Sequence, residues 1–222
     1  MNSQFTANII KRFITGAPII TLLFFIYFYA PFWVLTVSAI ALTLWILSVE
    51  WPKLVSPKTK FFWIITPFYP AMSLIIMILM LHSAYRPLLA FTILLIFFHD
   101  SAAYFIGNLW GKHLLAPKIS PKKTWEGAIA GYLAVYLSLL FLNKTNLNLK
   151  KALFILIVSF IFSILATTGD LFESWFKRRA HLKDSGSLLP GHGGLLDKFD
   201  GLLFVIPALY LLLPWIHTIL IF

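Results

Sequence analysis

Apolar runs long enough to cross a membrane recur from one end of this chain to the other. Seven can be drawn, at about 13–30, 31–49, 61–82, 88–106, 127–142, 152–168 and 201–221. A helix needs roughly 20 predominantly apolar residues to span a bilayer. The runs are continuous rather than alternating, which is not the pattern of β-barrel strands. They predict an all-α fold, a polytopic transmembrane helical bundle of about seven spans, with a range of about seven to nine. The first two runs nearly touch at Ala30-Pro31 and predict a tight helical hairpin. The run 61–82 contains Pro67 and Pro70, and is either a kinked helix or two half-segments. The whole chain, 1–222, reads as a single integral membrane domain, with N-terminal spans over 1–96 and the spans that carry the charged loops over 97–222.

Composition sharpens this picture. Hydrophobic residues make up 60% and charged residues 12%, whereas a soluble domain is about a quarter charged. The absence of cysteine excludes disulfides, thiolate metal sites and cysteine nucleophiles. The net charge of +10 does not call for nucleic acid, because the cations are sorted by side. With seven spans, fourteen of the eighteen Lys and Arg residues fall in the N-terminus and in the loops near 50–60, 107–126 and 169–200. Arg86, Lys144, Lys150 and Lys151 fall opposite. Positive charge gathers on cytosolic loops, so the N-terminus and these loops are expected in the cytosol. The first run follows Lys11-Arg12 and reads as a retained span rather than a signal peptide. The bilayer is the expected partner, and nucleic acid is not.

The acids are fewer and more telling. Of the eight, all but Glu50 lie between 100 and 126 or between 170 and 200. In the first region Asp100 ends an apolar run and is expected to face the bundle interior and find a cation. Ser120-Pro121 then reads as the Ncap and N1 of a new helix. Lys122, Lys123 and Thr124 follow, and a helix N-terminus with two lysines in its first turn attracts phosphate. An ordinary capped, positive-inside loop is the competing account. In the second region Asp170, Ser174 and Lys177 fall on one helical face, beside Glu173. Past Lys183-Asp184, the run Pro190-Gly191-His192-Gly193-Gly194 lets backbone N–H groups approach an anion. Asp197 and Asp200 share one face at the start of the last span. With Asp170 they make a hard-oxygen donor set suited to Mg²⁺. Juxtamembrane salt bridges beside a glycine turn are the competing account here.

This second region resembles the phosphatidate cytidylyltransferases. The family pattern is met by Ser174, Lys177-Arg178, Lys183-Asp184, Pro190 to Gly194, and Asp197-Lys198-Phe199-Asp200. Gly169 to Glu173 also fit it, as do Asp100, Ala103-Tyr104, Gly107, Gly111-Lys112 and the stretch SPKKTWEG. The match covers roughly 97–201. Lys198 stands where the family usually has Arg, and Gly201 where it usually has a small hydroxyl residue. The resemblance implies transfer of a cytidylyl group from CTP to phosphatidic acid. It implies Asp170, Lys177, Asp197 and Asp200 as catalytic residues, and Asp170, Asp197 and Asp200 as Mg²⁺ ligands, with a second cation such as K⁺ beside them. Ser120, Lys122, Lys123, Thr124, Ser174, Arg178, Lys183, Asp184, His192, Gly193 and Gly194 would contact substrate. A bacterial inner-membrane location, with the site loops in the cytosol, and a homodimer are further implications. A related lipid cytidylyltransferase with another acceptor, and a proton-coupled membrane transporter, are the alternatives.

Overall fold

The computed structural model describes residues 27, 29, 31–143, 147–188 and 193–219. The first drawn span, 13–30, lies almost wholly outside the described residues. Among those described, six helices carry the fold. They are α1 (Trp33–Leu54), α2 (Lys60–Leu81), α3 (Arg86–Trp110), α4 (Trp125–Leu142), α5 (Leu149–Arg179) and α6 (Leu196–Ile219). The first five are long and apolar enough to cross a membrane. The α6 helix covers most of the last drawn run, 201–221. Large apolar side chains such as Trp33, Leu44, Trp63, Ile64, Leu137, Phe141 and Ile157 point outward, as a lipid-facing surface requires.

Two helices are irregular. The α1 helix widens into a π turn over Ile46–Glu50. That wider coil lets Ile46, Glu50 and Trp51 all face inward, where each is buried. The α2 helix is broken at Tyr69, whose φ of −151° and ψ of 123° are extended, between Pro67 and the cis-bonded Pro70. A proline deprives the helix of a donor and clashes with the preceding turn, so the two-half-segment alternative describes this stretch best.

The fold also departs from an all-helical expectation. Leu114–Ala116 (β1) and Ser120–Thr124 (β2) form a two-stranded antiparallel ribbon that pairs Leu114 with Thr124 and Ala116 with Ser120. Ser120-Pro121 is therefore not a helix start. The residue before a proline is pushed toward extended backbone, and a ribbon edge tolerates proline. The helix begins one strand later, where the Thr124 hydroxyl caps α4 by accepting from Gly127 N–H at 3.2 Å.

Helix α3 packs on α4, α4 on α5, α5 on α6, and α6 on α2. One apolar core lies between them, around Leu95, Val135, Ile155, Phe162 and Ile206. A second core lies beneath the charged residues. There Phe176 meets Trp51 edge-on at 5.2 Å and Phe172 at 5.0 Å, and Tyr69 meets Phe172 at 5.0 Å. This aromatic cluster fixes the helix ends that carry the chemistry.

Candidate active site

The last two turns of α5 present two faces. Phe172 and Phe176 enter the aromatic core, and Asp170, Glu173, Ser174 and Lys177 form the polar face, spaced three and four residues apart as one helical stripe requires. Lys177 is the hub. Its ammonium lies 2.6 Å from Glu173 Oε2 and 2.7 Å from Asp197 Oδ1, and the side chains of this triad are 10%, 0% and 7% exposed. Buried charges of this kind persist only when paired and hydrogen-bonded.

Asp197 sits in the first turn of α6, ahead of the apolar run. Its Oδ2 accepts from Gly194 N–H at 2.7 Å, Ser185 N–H at 2.9 Å and the Ser185 hydroxyl at 3.0 Å. Burial alone would raise its carboxyl. The Lys177 charge and hydrogen bond, with the Gly194 and Ser185 N–H groups, outweigh burial and hold it below the usual aspartate range. Gly193 has a φ of +88°, and a Cβ there would stand 2.5 Å from Asp197 Oδ2. The backbone thus reaches the carboxylate only because glycine stands at this position.

The ribbon supplies the opposite wall. Lys122 is exposed, whereas Lys123 is half-buried next to the buried Thr124. Lys123 Nζ lies 2.5 Å from Asp170 Oδ2. Ser174 donates to Asp170 Oδ1 at 3.2 Å. Arg178 donates from Nε to Ile119 O and from Nη1 to Leu182 O, both at 3.2 Å, which ties the ribbon turn to the end of α5. Asp200 is buried, accepts from Gly201 N–H at 2.7 Å, and lies in the field of Asp170, Glu173, Asp100 and the opposing Lys123.

The predicted residues are thus largely gathered, with exceptions. Ser120 and Lys122 lie on the outer part of the ribbon, Thr124 is spent as a helix cap, and Lys183 and Asp184 are exposed on the loop between α5 and α6. Asp100, expected to face the bundle interior and find a cation, is instead exposed, and its partner is the neighbouring His99 Nδ1 at 2.9 Å. His192, with Pro190 and Gly191, lies outside the described residues. Glu50, set apart by the charge pattern, proves central: it is buried against Leu195, Leu196 and Ser185 at the base of the site. A lone acid bordering an apolar run was the available signal.

Among the described residues, no group of three or more His, Asp and Glu side chains converges at metal-binding distance. Asp197 is engaged by Lys177, whereas Asp170 and Asp200 belong to a neighbouring carboxylate group. Hard-oxygen chemistry is nonetheless on offer there. Glu173 Oε1 and the Tyr69 hydroxyl are buried without hydrogen-bond partners, Asp200 stands beside Glu173, and the field of Glu173, Asp200, Asp170 and Asp197 reaches Tyr69. This donor set fits a hard cation.

The sequence profile of the cytidylyltransferase family matches residues 61–216, which include every described residue of this site except Glu50. The chain is also similar to phosphatidate cytidylyltransferases of three staphylococci. It is 48% identical over 126 residues to that of Staphylococcus haemolyticus and 45% over 126 residues to that of Staphylococcus aureus, in each case 55% of this chain and 47% of the relative. With that of Staphylococcus saprophyticus it is 44% identical over 124 residues, for the same shares. The chain spans about half the length of the curated relatives it matches.

Proposed function

The chain belongs to the cytidylyltransferase family, and from that premise we propose that it transfers a cytidylyl group from CTP to phosphatidic acid. A phosphate oxygen of the lipid attacks the α-phosphorus of CTP. The new P–O bond gives CDP-diacylglycerol, and the bond to the bridging oxygen breaks to release pyrophosphate. The observation that carries this reading is the Lys123–Asp170 contact, which sets a basic ribbon opposite a buried Glu173–Lys177–Asp197 triad.

Both reactants are anions, so the barrier lies in charge repulsion and alignment, and fixed cations lower it without a protein nucleophile. Lys123 faces incoming phosphate from the ribbon, and the exposed Lys122 beside it adds positive charge at the approach. Arg178 and Lys183 approach the phosphate from the end of α5 and the loop beyond. The Gly193-Gly194 backbone and the Ser174 hydroxyl border the same space, and the Gly194 N–H and Ser174 hydroxyl would contact phosphate by exchanging their present partners, Asp197 and Asp170. Lys177 sets the orientation of Asp197 and keeps two buried carboxylates from repelling each other. Mg²⁺, when bound, would shield the phosphate charges and polarise the α-phosphoryl group. Asp170 and Asp200 would hold it beside Glu173, while Asp197 stays paired with Lys177; a second cation such as K⁺ is a further candidate.

The two loops that meet here, 107–126 and 169–200, carry nine of the eighteen Lys and Arg residues, which supports a site on the cytosolic side of a bacterial inner membrane. CTP would arrive from the cytosol and the lipid headgroup laterally, its acyl chains remaining in the bilayer. A different acceptor lipid would use the same charges, so acceptor competition is the informative control. The test is formation of lipid-linked cytidine from labelled CTP, with phosphatidic acid compared against other phospholipids.

A further inference from the structure

Glu50 is 1% exposed and lies at the end of the π turn in α1. Its carboxylate gathers three N–H donors and borders the Ser185 hydroxyl. Leu195 N–H donates to Oε1 at 2.9 Å and Leu196 N–H to Oε2 at 2.7 Å. Trp45 Nε1–H donates to Oε1 at 3.1 Å, and the Ser185 hydroxyl lies 3.3 Å from Oε2. Leu195 and Leu196 open α6, so the anion sits where unpaired N–H groups and the helix dipole favour it. Among the described residues no Lys, Arg or His pairs with it.

Two further observations connect Glu50 to the reacting cluster. The Ser185 hydroxyl that touches Glu50 is also 3.0 Å from Asp197 Oδ2, and its single proton can serve only one carboxylate at a time. The chain is also shaped to let the carboxylate in. A Cβ at Gly186 would stand 2.8 Å from Glu50 Oε1, and one at Gly194 would stand 2.7 Å from Oε2. We propose that Glu50 is a positioning residue for cytidylyl transfer. From outside the matched family region, it clamps the start of α6 and, through Ser185, fixes the Asp197 carboxylate against Lys177.

This inference rests on the cytidylyltransfer reading, and its test separates the two. The full chain is purified in detergent with Glu50→Gln, Glu50→Asp or Ser185→Ala. Each is assayed for kcat and for the KM of CTP, and amide hydrogen exchange is followed at Leu195 and Leu196. Glutamine keeps the size but loses one acceptor oxygen and the charge. A displacement of the reacting groups by about 1 Å costs up to about 100-fold in rate. Glu50→Gln is therefore expected to lower kcat by about 10- to 100-fold, with KM within about threefold and faster exchange at both amides. Glu50→Asp should recover part of the loss. Unchanged exchange at both amides, or a kcat within about twofold of the unsubstituted chain, overturns the proposal. Where Glu50→Gln does not fold, Ser185→Ala decides, since full activity in it overturns the bridge. If the unsubstituted chain makes no lipid-linked cytidine, the functional reading fails, and exchange alone decides whether Glu50 holds the start of α6.

Discussion

Lys123 of the ribbon and Asp170 of α5 meet at 2.5 Å, and this contact closes the space between the two charged loops. Both side chains remain about a quarter to a third exposed (26% and 30%), so solvent screens the pair. Its worth to stability is then on the order of 0–1 kcal/mol. Lys123→Ala should accordingly shift the melting temperature by no more than about 4 °C. The same substitution should raise the KM for CTP about tenfold, the cost of losing one charged contact of roughly 1.4 kcal/mol. Melting curves and CTP saturation on one preparation check both. Unchanged CTP kinetics would reduce the contact to a structural one.

Lys177 should behave in the opposite way. It separates two buried carboxylates, and removing one partner of a buried ion group typically costs about 3–5 kcal/mol. Lys177→Met should destabilise the detergent-solubilised protein by that order and abolish product. Denaturant unfolding is the check, and a loss below about 1 kcal/mol would mean that Glu173 and Asp197 find other compensation.

Gly194 and Gly201 offer a controlled comparison. A Cβ at Gly194 would stand 2.3 Å from Ser185 Oγ and 2.7 Å from Gly186 N, whereas one at Gly201 would stand 3.1 Å from Ala166 O. Overpacking costs typically about 1–3 kcal/mol. Gly194→Ala should therefore cost activity about tenfold or more, and Gly201→Ala much less. Equal effects in side-by-side turnover measurements would contradict the close approach at Gly194.

These contrasts show what could be seen in the chain alone. The helical segments announce themselves by apolar runs, and the polar stripe of Asp170, Ser174 and Lys177 follows from helical spacing. The start of α4 misleads, because Ser120-Pro121 satisfies capping preferences that Thr124 satisfies in fact. Extended backbone before proline and strand pairing with 114–116 decide that local contest, and the pairing is a tertiary fact. The partner of Lys177 across 20 residues was also beyond spacing arguments. So was the role of Glu50, which acts on amides 145 and 146 residues away. Buried carboxylates choose donors by position in space, and only the fold supplies that.

The most direct test of the central claim uses CTP labelled in its α-phosphate, with phosphatidic acid and Mg²⁺, on the full chain and its Asp197→Asn variant. The unsubstituted protein should move the label into a lipid-soluble product and release unlabelled pyrophosphate. Asp197→Asn, still folded and membrane-inserted, should form none. No labelled lipid from the folded unsubstituted chain would contradict cytidylyl transfer, and full activity in Asp197→Asn would contradict the site built around that carboxylate.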